Sequence, residues 1–300
     1  MKRFILKLSF FLILLIIIDY TFGVLGKKAL ESATSGDTKR EYLVANGGIT
    51  DEIVVLGSSR AVHHYHPTII EENTGLSCYN AGVDGNGIIL MYGRLSLIMK
   101  YHTPKLVIYD ITKDFDLNKN DNTKYLGLLK YFYNDKTIKE IFSSVDKFEC
   151  YKMYSNMYKY NSKFLQLIAD NFHSFSTNIK GYKPIHHTME YVPKSNISNK
   201  ETELDSLKIG YLEKLILLCK DKSQLIFVIS PSYFEDNQDY SPLINLCAKH
   251  NISLLDYGKD TTFIGKRRFF GDTVHMNNDG ATDFSRIIAN EINKLLNKNK

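Results

Sequence analysis

Apolar residues along the chain fall into five short runs, separated by longer segments with amphipathic spacing. The runs are rich in β-branched residues and are bounded by glycine, proline or polar clusters, so they predict β-strands; they cover Ile53–Gly57, Cys78–Ala81, Lys105–Ile111, Leu225–Ser230 and Ser253–Asp256. The intervening segments predict helices around Pro67–Thr74, Ile88–Lys100, Leu204–Lys220, Pro242–His250 and Ala281–Leu296. Alternation of this kind is typical of a three-layer α/β/α fold with a five-stranded parallel sheet.

The amino-terminal segment, residues 1–26, has a different pattern. Lys2, Arg3 and Lys7 precede a strongly apolar run from Leu8 to Ile18. A basic flank before such a run predicts an export signal whose amino end stays in the cytoplasm. Counted through Leu25, the segment reaches the lower end of the roughly 17–25 residues that a membrane-spanning helix needs. We expect an uncleaved anchor rather than a cleaved signal peptide, and both place the remaining chain outside the cytoplasm.

Residues 27–48 are polar and predict a linker, and residues 49–300 predict one catalytic-type domain. Within that domain, residues from about 119 to 199 do not follow the strand–helix alternation. They are rich in Tyr, Lys and Asn and contain the helix-like pieces Ile138–Phe148 and Lys163–Phe172. We expect a helical insertion here that covers the carboxyl edge of the sheet.

Composition narrows the classes of function. A chain of 300 residues, 44% of them hydrophobic, can bury a full core. The formal net charge of +5 is scattered without a basic stripe, so nucleic-acid binding is not expected. The four cysteines lie far apart and form no CxxC pair, which argues against zinc-ribbon and thioredoxin-like sites.

Two further patterns could suggest a metal or a cofactor. His63, His64 and His66 form a His-His-x-His cluster, but no acidic or cysteine ligand accompanies them, so we predict no metal site. The glycines of the Gly82–Gly87 stretch follow the second strand and lack the acidic residue that a dinucleotide loop requires. No cofactor is expected.

The first predicted strand ends in Gly57–Ser58–Ser59–Arg60, a tight turn before a helix. In parallel α/β sheets ligands bind at the carboxyl ends of the strands, so a serine placed there is a candidate nucleophile. The alternative is that Ser58 or Ser59 only caps the following helix. Near the end of the chain, Asp272 and His275 are three residues apart, and this spacing in a turn can bring the carboxylate to the imidazole. Such a pair would supply the base and its orienting acid.

Taken together, these residues resemble the SGNH (GDSL-like) hydrolase superfamily with its flavodoxin-like sheet, especially membrane-anchored members of the DltD and alginate-acetylation type. Gly57–Ser58–Ser59 resembles the first sequence block, and Asn80–Ala81–Gly82–Val83–Asp84–Gly85 resembles the second. Asp272–Thr273–Val274–His275, followed by Asn277 and Gly280, resembles the fifth. The resemblance covers about residues 50–115 and 220–295.

The resemblance implies acyl transfer through a triad of Ser59, His275 and Asp272. It also implies an oxyanion hole formed by the backbone N–H groups of Ser59 and Gly85, with Gly82 as the other candidate glycine. The third block normally ends in Gly-x-Asn-Asp, but here the strand continues as Asp110–Ile111–Thr112–Lys113–Asp114. Lys113 stands near the place of the missing asparagine, and loss of such a donor costs about 2.7–4 kcal/mol in the barrier.

The resulting hypothesis is an exported, membrane-tethered serine esterase or O-acyltransferase. Its expected substrate is an ester formed by an O-acyl group on a cell-envelope or extracellular glycan, and the expected acyl group is acetyl. Arg60 and Gly82 are candidate substrate-binding residues, although Arg60 could equally cover the helix. Transfer rather than hydrolysis would call for a multi-spanning acyltransferase as partner. The alternative is a catalytically silent binding or assembly factor that keeps the fold.

Overall fold

The computed structural model describes residues 1–172, 179–192 and 203–298. The predicted insertion therefore lies partly outside the described residues, at 173–178 and 193–199. The chain divides into two compact units, one comprising Met1–Gly48 with Asn122–Ser176 and the other Ile49–Asp121 with Thr177–Lys300.

The second unit is built on a five-stranded sheet whose strands all run parallel. The strands are β1 (Ile53–Gly57), β2 (Cys78–Asn80), β3 (Leu106–Asp110), β4 (Gln224–Ile229) and β5 (Ser253–Asp256). Their order across the sheet is β2-β1-β3-β4-β5. The predicted fold class is confirmed, and each strand lies within two residues of its expected bounds.

The chain contains thirteen α-helices within the described residues. They are α1 (Lys2–Ser32), α2 (Gly36–Ala45), α3 (Ser59–His64), α4 (Pro67–Thr74), α5 (Ile88–Ile98), α6 (Lys113–Asp116), α7 (Lys136–Val145), α8 (Lys147–Lys152), α9 (Asn156–Tyr160), α10 (Phe164–Ala169), α11 (Ser206–Cys219), α12 (Ser241–His250) and α13 (Asn278–Lys298). Short 3-10 helices cover Asn122–Leu126, Leu129–Phe132, Asn161–Lys163 and Arg267–Phe269.

Helices cover both faces of the sheet because successive strand residues point to opposite sides. On one face Val55, Ile108 and Ile226 pack in a buried cluster with Phe284 and Ile288 of α13. On the other face α5 packs against β1 and α11, and α11 packs against β4. The central strands β1 and β3 are buried along their whole length, as a parallel sheet between two helical layers requires.

The first unit is helical and is organised around α1. Gly23 and Gly26 let α9 approach α1 closely: a Cβ on them would lie 2.5 Å from the side chains of Asn156 and Tyr160, respectively. Phe22 of α1 stacks on Phe164 of α10 with 4.1 Å between ring centroids. Among the described helices, α1 alone is long and apolar enough to cross a membrane, by length and composition.

Candidate functional site

Ser59 is the first residue of α3 and follows directly from the end of β1. Gly57 makes this sharp turn with φ +138°, and a Cβ there would lie 2.5 Å from the carbonyl oxygen of Asp110. The hydroxyl of the preceding Ser58 is buried and makes no hydrogen bond within the described structure. Of the two neighbouring serines, Ser59 is therefore the one that faces a partner.

Ser59, His275 and Asp272 form a continuous chain of hydrogen bonds. His275 Nε2 lies 2.7 Å from Ser59 Oγ, and His275 Nδ1 lies 2.8 Å from Asp272 Oδ2. Because a carboxylate can only accept a hydrogen bond, Asp272 selects the tautomer with the proton on Nδ1, in which Nε2 is free to accept from the serine hydroxyl. A base oriented by an acid and bonded to a hydroxyl can activate that hydroxyl as a nucleophile.

Asp272 is held ionised by its surroundings. Partial burial opposes the charge, but the side chain of His275 and the backbone N–H groups of Val274 and His275 donate to the carboxylate and lower its pKa below the ordinary value. The backbone contacts measure 2.7 Å and 2.8 Å, both to Oδ1. The carboxylate thus fixes the turn and the imidazole together.

The residues that follow His275 anchor this turn to the start of α13. Asn277 Oδ1 accepts from the backbone N–H of Gly280 at 3.0 Å, and Asn277 Nδ2 donates to the carbonyl of Arg268 at 2.8 Å. Gly280 has no room for a side chain, because a Cβ would lie 2.2 Å from the carbonyl oxygen of Phe269. The spacing Asp272, His275, Asn277, Gly280 therefore has a structural reason at each position.

His64 is a residue near the site whose role the sequence analysis missed. Its ring is fully buried, with Nδ1 3.0 Å from Ser230 Oγ and Nε2 accepting from the backbone N–H of Met276 at 3.1 Å. Burial holds the pKa of His64 well below its ordinary value, so the ring is neutral. It ties α3, which begins at Ser59, to the residue after His275. Its place at the end of the short helix that begins with the serine was the signal that could have found it.

The candidate oxyanion donors differ in their surroundings and in whether their N–H groups already have a hydrogen-bond partner. The N–H of Gly82 donates to Asn80 Oδ1 at 3.1 Å, and its Cα packs against Ala61, which makes Gly82 a packing residue. Gly85 has φ +68° with open space where a Cβ would be, and no described group accepts from its N–H. Ser59 leads its helix, so its N–H has no partner within the helix. Lys113 begins α6 and is half-buried.

Arg60, a candidate substrate-binding residue, is buried and directs its guanidinium into the protein. Arg60 Nη1 donates to the carbonyl of Ser230 at 3.1 Å, Nη2 donates to the carbonyl of Ile111, and Nε lies 3.4 Å from Asp110 Oδ1. Burial opposes the charge, but Asp110 and Asp236 help to raise the pKa of Arg60 above its ordinary value. Arg60 thus joins α3 to the carboxyl ends of β3 and β4.

The ring of His63 on α3 lies next to the hydrogen-bonded chain of Ser59, His275 and Asp272. Its ring meets that of His275 edge-on at 5.2 Å between centroids. Nδ1 lies 2.7 Å from the carbonyl oxygen of Lys183, and Nε2 lies 3.3 Å from Asp84 Oδ1. His66, the third residue of the cluster, packs on Tyr182. The three histidines point to different partners, and the described residues contain no group placed to hold a metal ion.

Comparisons with known proteins add little to this geometry. No protein-family model and no curated protein matches the chain. Similar solved structures include a gut microbial diltiazem-metabolizing enzyme (12% identity, 80% of this chain and 46% of that one) and a two-domain esterase active on acetylated mannans (11%, 81% and 48%). A third is a protein from Streptococcus pneumonia named for platelet activating factor (11%, 93% and 98%).

The TM-score is 0.38 for all three structures. This chain spans about half the length of the first two, at 46% and 48%. At this level of similarity the functional argument depends on the site itself.

Proposed function

We propose that the protein is a serine esterase or O-acyltransferase of the SGNH type, with Ser59 as nucleophile, His275 as general base and Asp272 as its orienting acid. The observation that carries the proposal is the chain of hydrogen bonds of 2.7 Å and 2.8 Å that joins these side chains at the carboxyl end of β1. Ligands of parallel α/β sheets bind at this edge.

The mechanism follows from that order of side chains. As Ser59 Oγ attacks the carbonyl carbon of an ester, its proton passes to His275 Nε2, and Asp272 stabilises the imidazolium that forms. The backbone N–H groups of Ser59 and Gly85 receive the developing oxyanion, and Lys113 is the candidate for a third donor. His275 then returns the proton to the leaving alkoxide, and water or a sugar hydroxyl releases the acyl group from Ser59.

The proposed substrate is an O-acyl group, most simply acetyl, on a cell-envelope or extracellular glycan. The proposal for location is that α1 anchors the chain in a membrane, with the other residues outside the cytoplasm. Its basis is the long apolar helix with Lys2 and Arg3 at its amino end, because positive residues favour the cytoplasmic side. Hydrolysis and transfer use the same side chains and differ only in the acceptor.

Turnover of p-nitrophenyl acetate by the full-length protein in detergent tests the proposed chemistry. We expect activity in the wild type and its loss in Ser59→Ala and in His275→Ala. Ser58→Ala is the matched control, because the hydroxyl of Ser58 is buried without a hydrogen bond and its removal should leave turnover intact. Activity that survives in Ser59→Ala would exclude Ser59 as nucleophile. A folded, inactive wild type would favour a binding or assembly factor.

A further inference from the structure

A group of large side chains in the first unit is exposed although most of its members are aromatic. The group lies on α8, on the turn that follows it and on the first turn of α9. Its members are Phe148 (72% exposed), Tyr151 (68%), Tyr154 (87%) and Met157 (43%). Phe148 and Tyr151 are three residues apart and so share one face of α8. We call these four residues the aromatic surface.

Contacts within the first unit place the aromatic surface beside a defined level of α1. The carboxylate of Asp19 accepts from Ser155 Oγ at 2.7 Å and from the backbone N–H groups of Asn156 and Met157 at 3.0 Å and 2.9 Å. Asp19 thereby caps the start of α9. Met157 belongs to this cap and Tyr154 directly precedes it, so both lie beside α1 at the level of Asp19.

The thickness of a bilayer shows why the level of Asp19 on α1 matters. Exposed apolar residues of α1 occur from Phe4 to Leu25, interrupted by Asp19 after Ile18. The hydrocarbon core of a bilayer is about 30 Å thick. At about 1.5 Å per residue, a core that begins at Phe4 would end near Gly23, which packs against Asn156 at the start of α9.

We propose that the aromatic surface inserts into the membrane–water interface beside α1, with lipid acyl chains and headgroups as its binding partner. Tyrosine favours this interface because its ring is apolar and its hydroxyl group can remain hydrated. The acidic side chain of α8, Glu149, is buried and bonded to Lys152 and Tyr158, so it does not repel the lipid surface. This inference depends on the proposed anchoring by α1.

The chain contains no tryptophan, so a single introduced tryptophan is a unique reporter. The experiment uses three full-length variants, Tyr154→Trp, Phe172→Trp and Phe11→Trp, in phosphatidylcholine vesicles with or without brominated acyl chains. Phe172 is the matched control because it is an exposed aromatic residue of the same unit (75%). The neighbouring Asn171 donates to the carbonyl of Ala29 at 2.8 Å, ten residues beyond Asp19 and about 15 Å further along α1.

We expect brominated lipid to lower the emission of the Tyr154→Trp variant by about twofold, with a blue-shifted maximum, because an interfacial indole contacts acyl chains. The Phe172→Trp variant should keep its emission. The Phe11→Trp variant reports on α1 itself: if it is not quenched, the anchoring is wrong. Quenching of Phe11→Trp without quenching of Tyr154→Trp, or equal quenching of Tyr154→Trp and Phe172→Trp, overturns the interfacial surface alone.

Discussion

Asp272 performs two tasks with its two carboxylate oxygens. Oδ2 receives the imidazole Nδ1–H, while Oδ1 receives the backbone N–H groups of Val274 and His275. An asparagine could keep the turn but would offer an amide N–H to the ring, which favours the wrong tautomer of His275. An asparagine at position 272 would therefore change the orientation and tautomer of the base while keeping the shape of the turn.

We therefore expect Asp272→Asn to lower kcat for p-nitrophenyl acetate by roughly 10²–10⁴-fold, with a much smaller change in KM. Asp283→Asn is the control, because Asp283 is a half-exposed carboxylate that pairs with Arg286 on the surface of α13. Unchanged kcat in Asp272→Asn would contradict the assigned role of the carboxylate.

His64 allows a similar test of positioning. His64→Phe keeps an aromatic ring but removes the hydrogen bonds to Ser230 and Met276, and a buried group left without its partner costs about 1–3 kcal/mol. We expect a loss of this size in the free energy of unfolding, together with a lower kcat, because Met276 follows the base directly. His66→Phe is the matched substitution, since His66 Nδ1 has no hydrogen-bond partner within the described structure. Equal effects of the two substitutions would argue against a special role for His64.

Residue type and spacing were enough to find Ser59, Asp272 and His275, because a strand end and a short turn restrict where those side chains can lie. The direction of the Arg60 side chain could not be predicted in the same way. Its position after the serine indicated a site residue, whereas its direction depends on Asp110 and Ser230, which are distant in sequence. Local patterns do not contain that information.

At the scale of elements, Asp116 connects the turn after β3 to the start of α5. Its Oδ1 accepts from the backbone N–H of Ile88 at 2.8 Å and from the hydroxyl of Tyr109 at 2.7 Å, and its Oδ2 accepts from the N–H of Thr112 at 2.7 Å. The loop before α5 carries Gly85, so Asp116 supports the loop that holds a proposed oxyanion donor. Burial raises the pKa of Asp116 to about 6, and the hydrogen bonds offset only part of this effect.

A raised carboxyl pKa has a definite consequence for stability. Between about pH 4 and pH 6 the folded state retains a proton that the unfolded chain has lost, so the contribution of Asp116 to stability falls as pH rises through this window. The change is on the order of 3 kcal/mol. We expect Asp116→Asn to remove this component from the free energy of unfolding measured against pH. Asp114→Asn, on the exposed side of α6, should retain it; the same slope in both variants would refute the prediction.

Most element boundaries could be predicted because each depends on local signals. Pro67 begins α4, Gly75 in the left-handed region ends it, and the β-branched run around Val107 forms a central strand. The contacts of the first unit could not be predicted in this way. The pairing of Gly23 with Asn156 joins residues far apart in the chain, and no periodicity encodes it.

The protein contains a five-stranded sheet that presents a candidate nucleophile and a helical unit built on a candidate membrane anchor. The predicted linker at residues 27–48 and the insertion at about 119–199 remain predictions as domain assignments. Their described residues contribute α2 and the helices α7–α10. The proposed activity depends only on the second unit, whereas the proposed location depends on α1.

The central claim is that Ser59 is activated by His275, and covalent labelling tests it most directly. The full-length protein in detergent would be treated with a fluorophosphonate, which forms a bond from phosphorus to an activated serine oxygen with loss of fluoride. Peptide mass spectrometry would then locate the adduct. We predict one adduct, on Ser59, that is absent when His275→Ala is treated in the same way. An adduct on Ser58, an adduct that persists in His275→Ala, or no adduct on the folded wild type would contradict the claim.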